Sequence, residues 1–289
     1  MNNKLNKNVH TFIGCDKEYE ESDIVIFGAP FDGTTSYRPG TRFAFSAMRN
    51  ESYSIETYSP YLDRDLSDIK VFDGGDLDLC FGNTEKILCQ IKNFTSMILS
   101  DGKLPIMIGG EHLVTLGAVR ATLQRYPDLH IIHFDAHADM RDDYLGEKLS
   151  HATVMRRCWD LLGDNKIFQF GIRSGEREEF KFSEEHNFIE KFHFHKLEKI
   201  IYGDILKNKP VYLSIDLDVL DPSQLPGTGT PEAGGVGYLV LSTAVTEIAQ
   251  ILNVVGIDIN ELSPPYDLSG RSTSLACKLL REILLAAAK

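Results

Sequence analysis

Eight short apolar runs, rich in β-branched residues, recur along this chain and constrain its fold more than any other feature. They are DIVIFGAP (23–30), IKVFDGGD (69–76), LPIMIGGEH (104–112), LHIIHFDAH (129–137), KIFQFGIR (166–173), KFHFHKL (191–197), PVYLSIDLDVLD (210–221) and VVGIDINEL (254–262). Most are almost continuously hydrophobic rather than alternating, the pattern of strands covered on both faces. Helical patterns lie between them. Residues 84–99 follow an Asn-Thr start signal, 112–126 follow a glycine pair, 241–252 carry Ser242 or Thr243 as caps, and 273–288 close the chain. Strands alternating with helices build βαβ units on a mainly parallel sheet. No repeat, low-complexity segment or linker divides the 289 residues, so a single α/β domain over 1–289 is expected.

Charge narrows the partners. The formal net charge is −12, whereas a nucleic-acid or membrane-surface binder would carry a basic patch, so neither partner is expected. A cationic small molecule suits this balance. Five cysteines, odd in number and never in a C-x-x-C pair, argue against a disulfide or zinc framework and for free thiols in a reducing cytoplasm. The opening MNNKLNKNVHTF has no apolar signal core, and no apolar run is long enough to span a bilayer, so a cytosolic protein is expected.

Polar anomalies cluster where the apolar runs end. His112 follows IMIGG; Asp135, His137 and Asp139 follow IIHF; Asp216 and Asp218 end VYLSI; and Glu261 follows VVGIDIN. In an open parallel sheet, sites form at the carboxyl ends of strands, near a switch in strand order. Period-two spacing would project Asp135, His137 and Asp139, and likewise Asp216 and Asp218, from one side of an extended segment. Buried carboxylates repel one another and are costly to desolvate, so positive charge is needed between them. Four carboxylates balance two divalent ions, and six side chains are too many for one ion that must leave room for substrate. Oxygen-rich ligands with some imidazole and no thiolate favour Mn²⁺, Mg²⁺ or Fe²⁺ over structural Zn²⁺, and manganese is the expected ion. Each motif alone reads as a turn or a cap; three together, each at a strand end, read as a site. His133 and Asp258 lie within strands and are read as partnered core groups, and His193 and His195 as surface or structural residues.

At these residues the chain resembles the ureohydrolase family, which includes arginases and agmatinases. The resemblance is carried by GAPFDGTTSYRPGTRF (28–43), GGEH (109–112), DAHADMRDDYLGEKLSHATVMRR (135–157), GIRSGEREE (171–179), SIDLDVLDPSQLPGTGTPEAGG (214–235) and DINELSPPYD (258–267). They stand in family order, with agmatinases the nearest branch. The resemblance implies a three-layer α/β/α fold with an eight-stranded, mainly parallel sheet and a binuclear manganese site. It implies that one ion binds His112, Asp135, Asp139 and Asp216, and the other Asp135, His137, Asp216 and Asp218, with Asp135 and Asp216 bridging. His151 corresponds to the family's proton-shuttling histidine and Glu261 to its guanidinium-orienting carboxylate. A homo-oligomer, trimer or hexamer, is implied as well.

The chemistry is consistent with that set. A guanidinium is a poor electrophile, so a hydroxide bridging two ions is the expected nucleophile. Asp139 would pass on the hydroxide's proton, and His151 would relay protons to the leaving amine. The expected reaction is agmatine plus water to putrescine plus urea. The loop after D-x-H-x-D carries Asp142, Asp143 and Glu147 against Arg141 and Lys148, an acidic excess that favours an ammonium-ended substrate. Guanidinobutyrase, arginase and formiminoglutamase activities stay open, because Arg141 could meet a substrate carboxylate. A metallophosphoesterase would need a phosphate-cradling glycine loop or an arginine cluster, which the site segments lack. A non-catalytic metal-binding protein would be expected to have lost ligand positions, and here all are filled.

Overall fold

The computed structural model describes residues 10–288; residues 1–9, part of the stretch read above as lacking a signal core, and residue 289 lie outside the described residues. Its strands are β1 (Ile24–Ala29), β2 (Tyr58–Ser59), β3 (Arg64–Asp65), β4 (Val71–Asp76), β5 (Leu104–Gly109), β6 (His130–Phe134), β7 (Ile167–Ile172), β8 (Phe188–Lys191), β9 (Pro210–Asp216) and β10 (Asn253–Asn260). Its α-helices are α1 (Ala44–Glu51), α2 (Thr84–Ser100), α3 (Val114–Arg125), α4 (Val154–Leu162), α5 (Arg177–His186), α6 (Leu197–Tyr202), α7 (Tyr238–Ile251) and α8 (Arg271–Ala287). The β2–β3 pair is a small antiparallel hairpin. The other eight strands form one sheet in the order β4-β1-β5-β10-β9-β6-β7-β8, every pairing parallel.

The near-continuous hydrophobicity of the strands is explained by two cores. Ile24 and Ile26 of β1 join the core beneath α1, α6, α7 and α8, whereas Val25 and Phe27 join the core beneath α2, α3 and α4. Each fully buried side chain of this size contributes about 1.5–3 kcal/mol, so neither face tolerates a polar alternation. Asn83 caps α2 by accepting from the Lys86 backbone N–H at 2.9 Å, as its start signal requires. Helices α2 and α3 approach closely at Gly117, where a Cβ would stand 2.9 Å from the Ile91 side chain.

Two sequence expectations are corrected. The apolar run at 191–197 is not the eighth strand. β8 ends at Lys191, the chain turns through Phe192 with φ +69°, and α6 begins at Leu197. The alternation there belongs to a loop straddling the surface: Phe194 packs inward on Phe134, ring centroids 4.8 Å apart, while His193 and His195 are exposed. Nor do Ser242 or Thr243 cap α7. Gly237 does, because Tyr238 and Leu241 extend the apolar face toward the N-terminus and leave Ser242 buried inside the helix.

One topological feature positions the site. β5 and β6 follow each other as sheet strands in the chain, yet β10 and β9 lie between them in the sheet. Such a switch opens a crevice at the carboxyl ends of the strands. Among the described residues, no helix is long and apolar enough to cross a membrane.

Candidate active site

The singled-out ligand residues leave the ends of four neighbouring strands, β5, β10, β9 and β6. His112 follows β5, Glu261 follows β10, Asp216 ends β9 with Asp218 just beyond, and Asp135, His137 and Asp139 follow β6. The local geometry departs from the extended segments expected above. Asp135 Oδ1 accepts from the His137 backbone N–H at 2.5 Å, and Asp216 Oδ1 accepts from the Asp218 N–H at 2.8 Å. Each aspartate thereby closes a tight turn onto the residue two further on. Asp218 lies in a 3₁₀ turn, and Asp139 and Glu261 hold left-handed backbone at φ +53° and +65°. Non-glycine residues in that region are strained, and such strain gathers at functional sites.

His112 stands at the centre. Its Nδ1 lies 3.1 Å from Asp135 Oδ2, 3.1 Å from Asp139 Oδ2 and 3.4 Å from Asp216 Oδ2. It is buried, yet makes no well-oriented hydrogen bond with any of them. The other ring nitrogen explains the tautomer. Nε2 is 2.9 Å from Ser214 Oγ, which itself donates to Asp258 Oδ1 at 2.7 Å. Ser214 spends its proton on Asp258 and so accepts from His112 Nε2–H, leaving Nδ1 as the ring nitrogen aimed among three carboxylate oxygens. A buried ring nitrogen with no well-oriented partner among three carboxylates is a place that a positive charge fits. A second group adjoins it: His137 Nδ1 lies 2.9 Å from Asp218 Oδ2 and 3.5 Å from Asp135 Oδ1. Asp135 is common to both groups.

His133 also approaches, with its Nε2 2.9 Å from Asp135 Oδ2. Its Nδ1 accepts from Gln169 Nε2 at 3.1 Å, so both ring nitrogens are occupied and it orients Asp135 instead of offering a lone pair. Asp258, which accepts from Tyr212, Ser214 and Asn260, is likewise a partnered core group. Both have the partners the sequence reading expects, and His133 also stands within reach of one ion together with His112 and Asp135.

The electrostatics show how much positive charge these groups require. Burial and neighbouring carboxylates lift Asp139 to about 7 and raise Asp216 well above the usual range. Burial beside Glu111 does the same to Glu261. Burial alone would depress His112 and His137, but the facing carboxylates outweigh it and raise both. The donor set, oxygen-rich with two imidazoles, fits divalent cations. Cation binding needs these carboxylates ionised and the imidazole lone pairs free, so loading is expected to release on the order of one proton per ion, and affinity is expected to fall as pH drops below about 7. Calorimetric titration in buffers of different ionisation enthalpy measures this; identical heats in all buffers would contradict it.

These groups open on a cavity of about 280 Å³ lined by His112, His137, Asp139, Asp216, Glu261 and His151. Glu261 Oε1 accepts from the His112 backbone N–H at 2.8 Å, which ties the carboxylate to β5's end. His151 opens a 3₁₀ turn capped by Ser150, and burial lowers its pKa to about 4, so its ring is neutral at pH 7. The outer wall differs from the sequence expectation. Asp142 pairs with Arg157 at 2.8 Å, Asp143 accepts from the Gly146 N–H at 3.2 Å, and Glu147 is exposed, so none of the loop's acids lines the cavity. Acidic lining comes instead from Glu176 and Glu179, which hold Arg141 at 3.2 and 3.3 Å. Arg141 also sits 4.7 Å from the Tyr144 ring centroid. Glu232, 3.7 Å from His137 Nε2, extends the negative field. Sequence reasoning assigned no role to Glu111, Ser214, Glu176 or Glu232. All four stand inside the quoted motifs, and that placement was the one available signal.

A parallel α/β sheet with carboxylates and imidazoles converging at its strand ends is the scaffold of a metal-dependent hydrolase. The chain belongs to the arginase family, whose model matches residues 22–286, and it is an enzyme acting on linear amidines. It is 47% identical over 280 residues to the agmatinase of Bacillus subtilis (strain 168), covering 96% of each chain. A crystal structure from Clostridium difficile is 54% identical with a TM-score of 0.91, covering 94% of this chain and 99% of that one. The agmatine ureohydrolase of Thermoplasma volcanium is 35% identical with a TM-score of 0.88, covering 97% of this chain and 94% of that one.

Proposed function

We propose that this protein hydrolyses agmatine to putrescine and urea with two manganese ions held among His112, Asp135, His137, Asp139, Asp216 and Asp218. The observation that carries the reading is the buried His112 Nδ1, unpaired among three carboxylate oxygens. Bound divalent ions supply Lewis acidity and bring the pKa of water toward neutrality. The protein's own groups do the rest. Glu261, anchored through Oε1, presents its other oxygen to the guanidinium N–H groups and fixes the electrophilic carbon. Water oxygen bonds to that carbon, Asp139 takes the proton released, and the bond to the chain-bearing nitrogen breaks. That nitrogen leaves as an amine only if protonated, and neutral His151 can accept a proton and pass it on.

Substrate choice is supported by the outer wall. Arg141 is engaged by Glu176 and Glu179, so the guanidinium that could greet a substrate carboxylate is already neutralised. A carboxylate placed there would face the acidic excess of Glu176 and Glu179, whereas the ammonium of agmatine would be favoured by it. Buried free thiols at Cys15, Cys158 and Cys277 support a reducing, cytoplasmic setting. The test is product release, urea or formamide, from agmatine, arginine, guanidinobutyrate and formiminoglutamate with manganese present. Agmatine is expected to exceed arginine in kcat/KM by about a hundredfold or more, roughly 2.7 kcal/mol. Equal or faster turnover of a carboxylate-bearing substrate overturns the choice of agmatine.

A further inference from the structure

Three of the quoted motifs meet beside the proposed cation ligands. Segment 29–31 is threaded against 110–111: Gly110 donates to Ala29 O at 3.0 Å and Glu111 to Phe31 O at 2.7 Å. A Cβ on Gly110 would stand 1.8 Å from Phe31 O, so only glycine permits this approach. The Glu111 side chain, fully buried, continues the attachment. Its Oε2 accepts from the Thr34 backbone N–H at 2.8 Å and the Thr35 hydroxyl at 3.2 Å, and its Oε1 accepts from the Thr34 hydroxyl. The far end of the loop is pinned by Asp32, which accepts from the Gly40 N–H at 2.8 Å and from Arg42 Nε at 2.5 Å.

The middle of that loop reaches His151. Thr34 Oγ1 accepts from the His151 backbone N–H at 3.1 Å, and Ser36 Oγ lies 3.4 Å from His151 Nε2. The chain of bonds has a fixed sense. With three donors converging on it, Glu111 acts as acceptor; Thr34 gives it the hydroxyl proton and keeps a lone pair for His151 N–H. The remaining contacts of the imidazole are loose, Ser150 Oγ at 3.4 Å and the edge of Tyr144 at a centroid distance of 5.7 Å.

We infer that Glu111, through Thr34, is a positioning relay that sets where His151 stands over the cavity. The inference rests on the role proposed above for His151. The GGEH motif thereby serves two purposes, since His112 faces the cation site while its neighbour Glu111 aligns a residue from a different segment.

The test uses metal-loaded enzyme and agmatine with Thr34→Val, Thr34→Ser, His151→Asn and the Thr34→Val/His151→Asn double variant. Thr34→Val is expected to lower kcat about tenfold to a hundredfold, with KM within about twofold and metal content unchanged. Thr34→Ser, which keeps the hydroxyl, recovers most of the rate. The double variant turns over no more slowly than His151→Asn alone, since a relay has nothing left to position. Glu111→Gln repeats the Thr34→Val pattern, because an amide nitrogen in the Oε1 place meets the Thr34 hydroxyl donor and in the Oε2 place meets both the Thr34 N–H and the Thr35 hydroxyl. The inference is overturned if Thr34→Val keeps kcat within about twofold of the parent, multiplies the His151→Asn loss, or sheds metal. Full activity in His151→Asn would remove the histidine's proposed role itself, and the inference with it.

Discussion

Asp216→Asn is expected to lower kcat/KM for agmatine by roughly two to nearly four orders of magnitude and to deplete bound metal. The substitution is nearly isosteric, and its amide oxygen can still accept the Asp218 N–H now held at 2.8 Å. The turn therefore survives while the charge does not. What is lost is one of three carboxylates around His112 Nδ1, 3.4 Å away. Removing one partner of a buried charge cluster costs about 3–5 kcal/mol, which sets the range at 1.36 kcal/mol per decade. Metal analysis and steady-state kinetics on one preparation decide it. A variant with full metal content and parental turnover would dismantle the cation site argued here.

Glu261→Gln is expected to behave differently: kcat/KM for agmatine falls by about 2–5 kcal/mol, thirtyfold to several thousandfold, while metal content stays at the parental level. Glu261 reaches the cavity but, unlike the three aspartates, makes no contact with His112 Nδ1. Its Oε1 holds the His112 N–H at 2.8 Å, and glutamine can keep that bond. The change removes the negative charge that the proposed function sets against the guanidinium. Activity lost together with metal would recast Glu261 as a support of His112, and unchanged kinetics would release it from substrate binding.

The legible part of the site followed from residue chemistry. Asp135, His137, Asp139, Asp216 and Asp218 are polar groups at the ends of apolar runs, and buried polar groups demand partners. That argument reached the donors without reaching their geometry. The turns that Asp135 and Asp216 close depend on one carboxylate oxygen being taken by the backbone two residues on, which period-two spacing does not reveal. The acidic loop at 141–148 misled for a related reason. Composition counts charges, whereas Arg157 and the Gly146 N–H decide where Asp142 and Asp143 point. Strand 191–197 failed because alternation signals a surface-straddling segment, and a loop can straddle a surface as well as an edge strand.

Taken alone, the amino-acid sequence determined the strand-and-helix alternation, the two-sided burial of the sheet and the type of donors at its strand ends, because each follows from local composition and period. Tertiary structure alone decided that β10 and β9 lie in the sheet between β5 and β6, which follow each other in the chain. It also decided that Arg141 is already paired and that Glu111 reaches His151 through Thr34. The reason is physical. A residue's pattern specifies which face it buries, but which strand lies beside it is set by crossover connections and burial summed over the whole sheet, and no local window contains that sum.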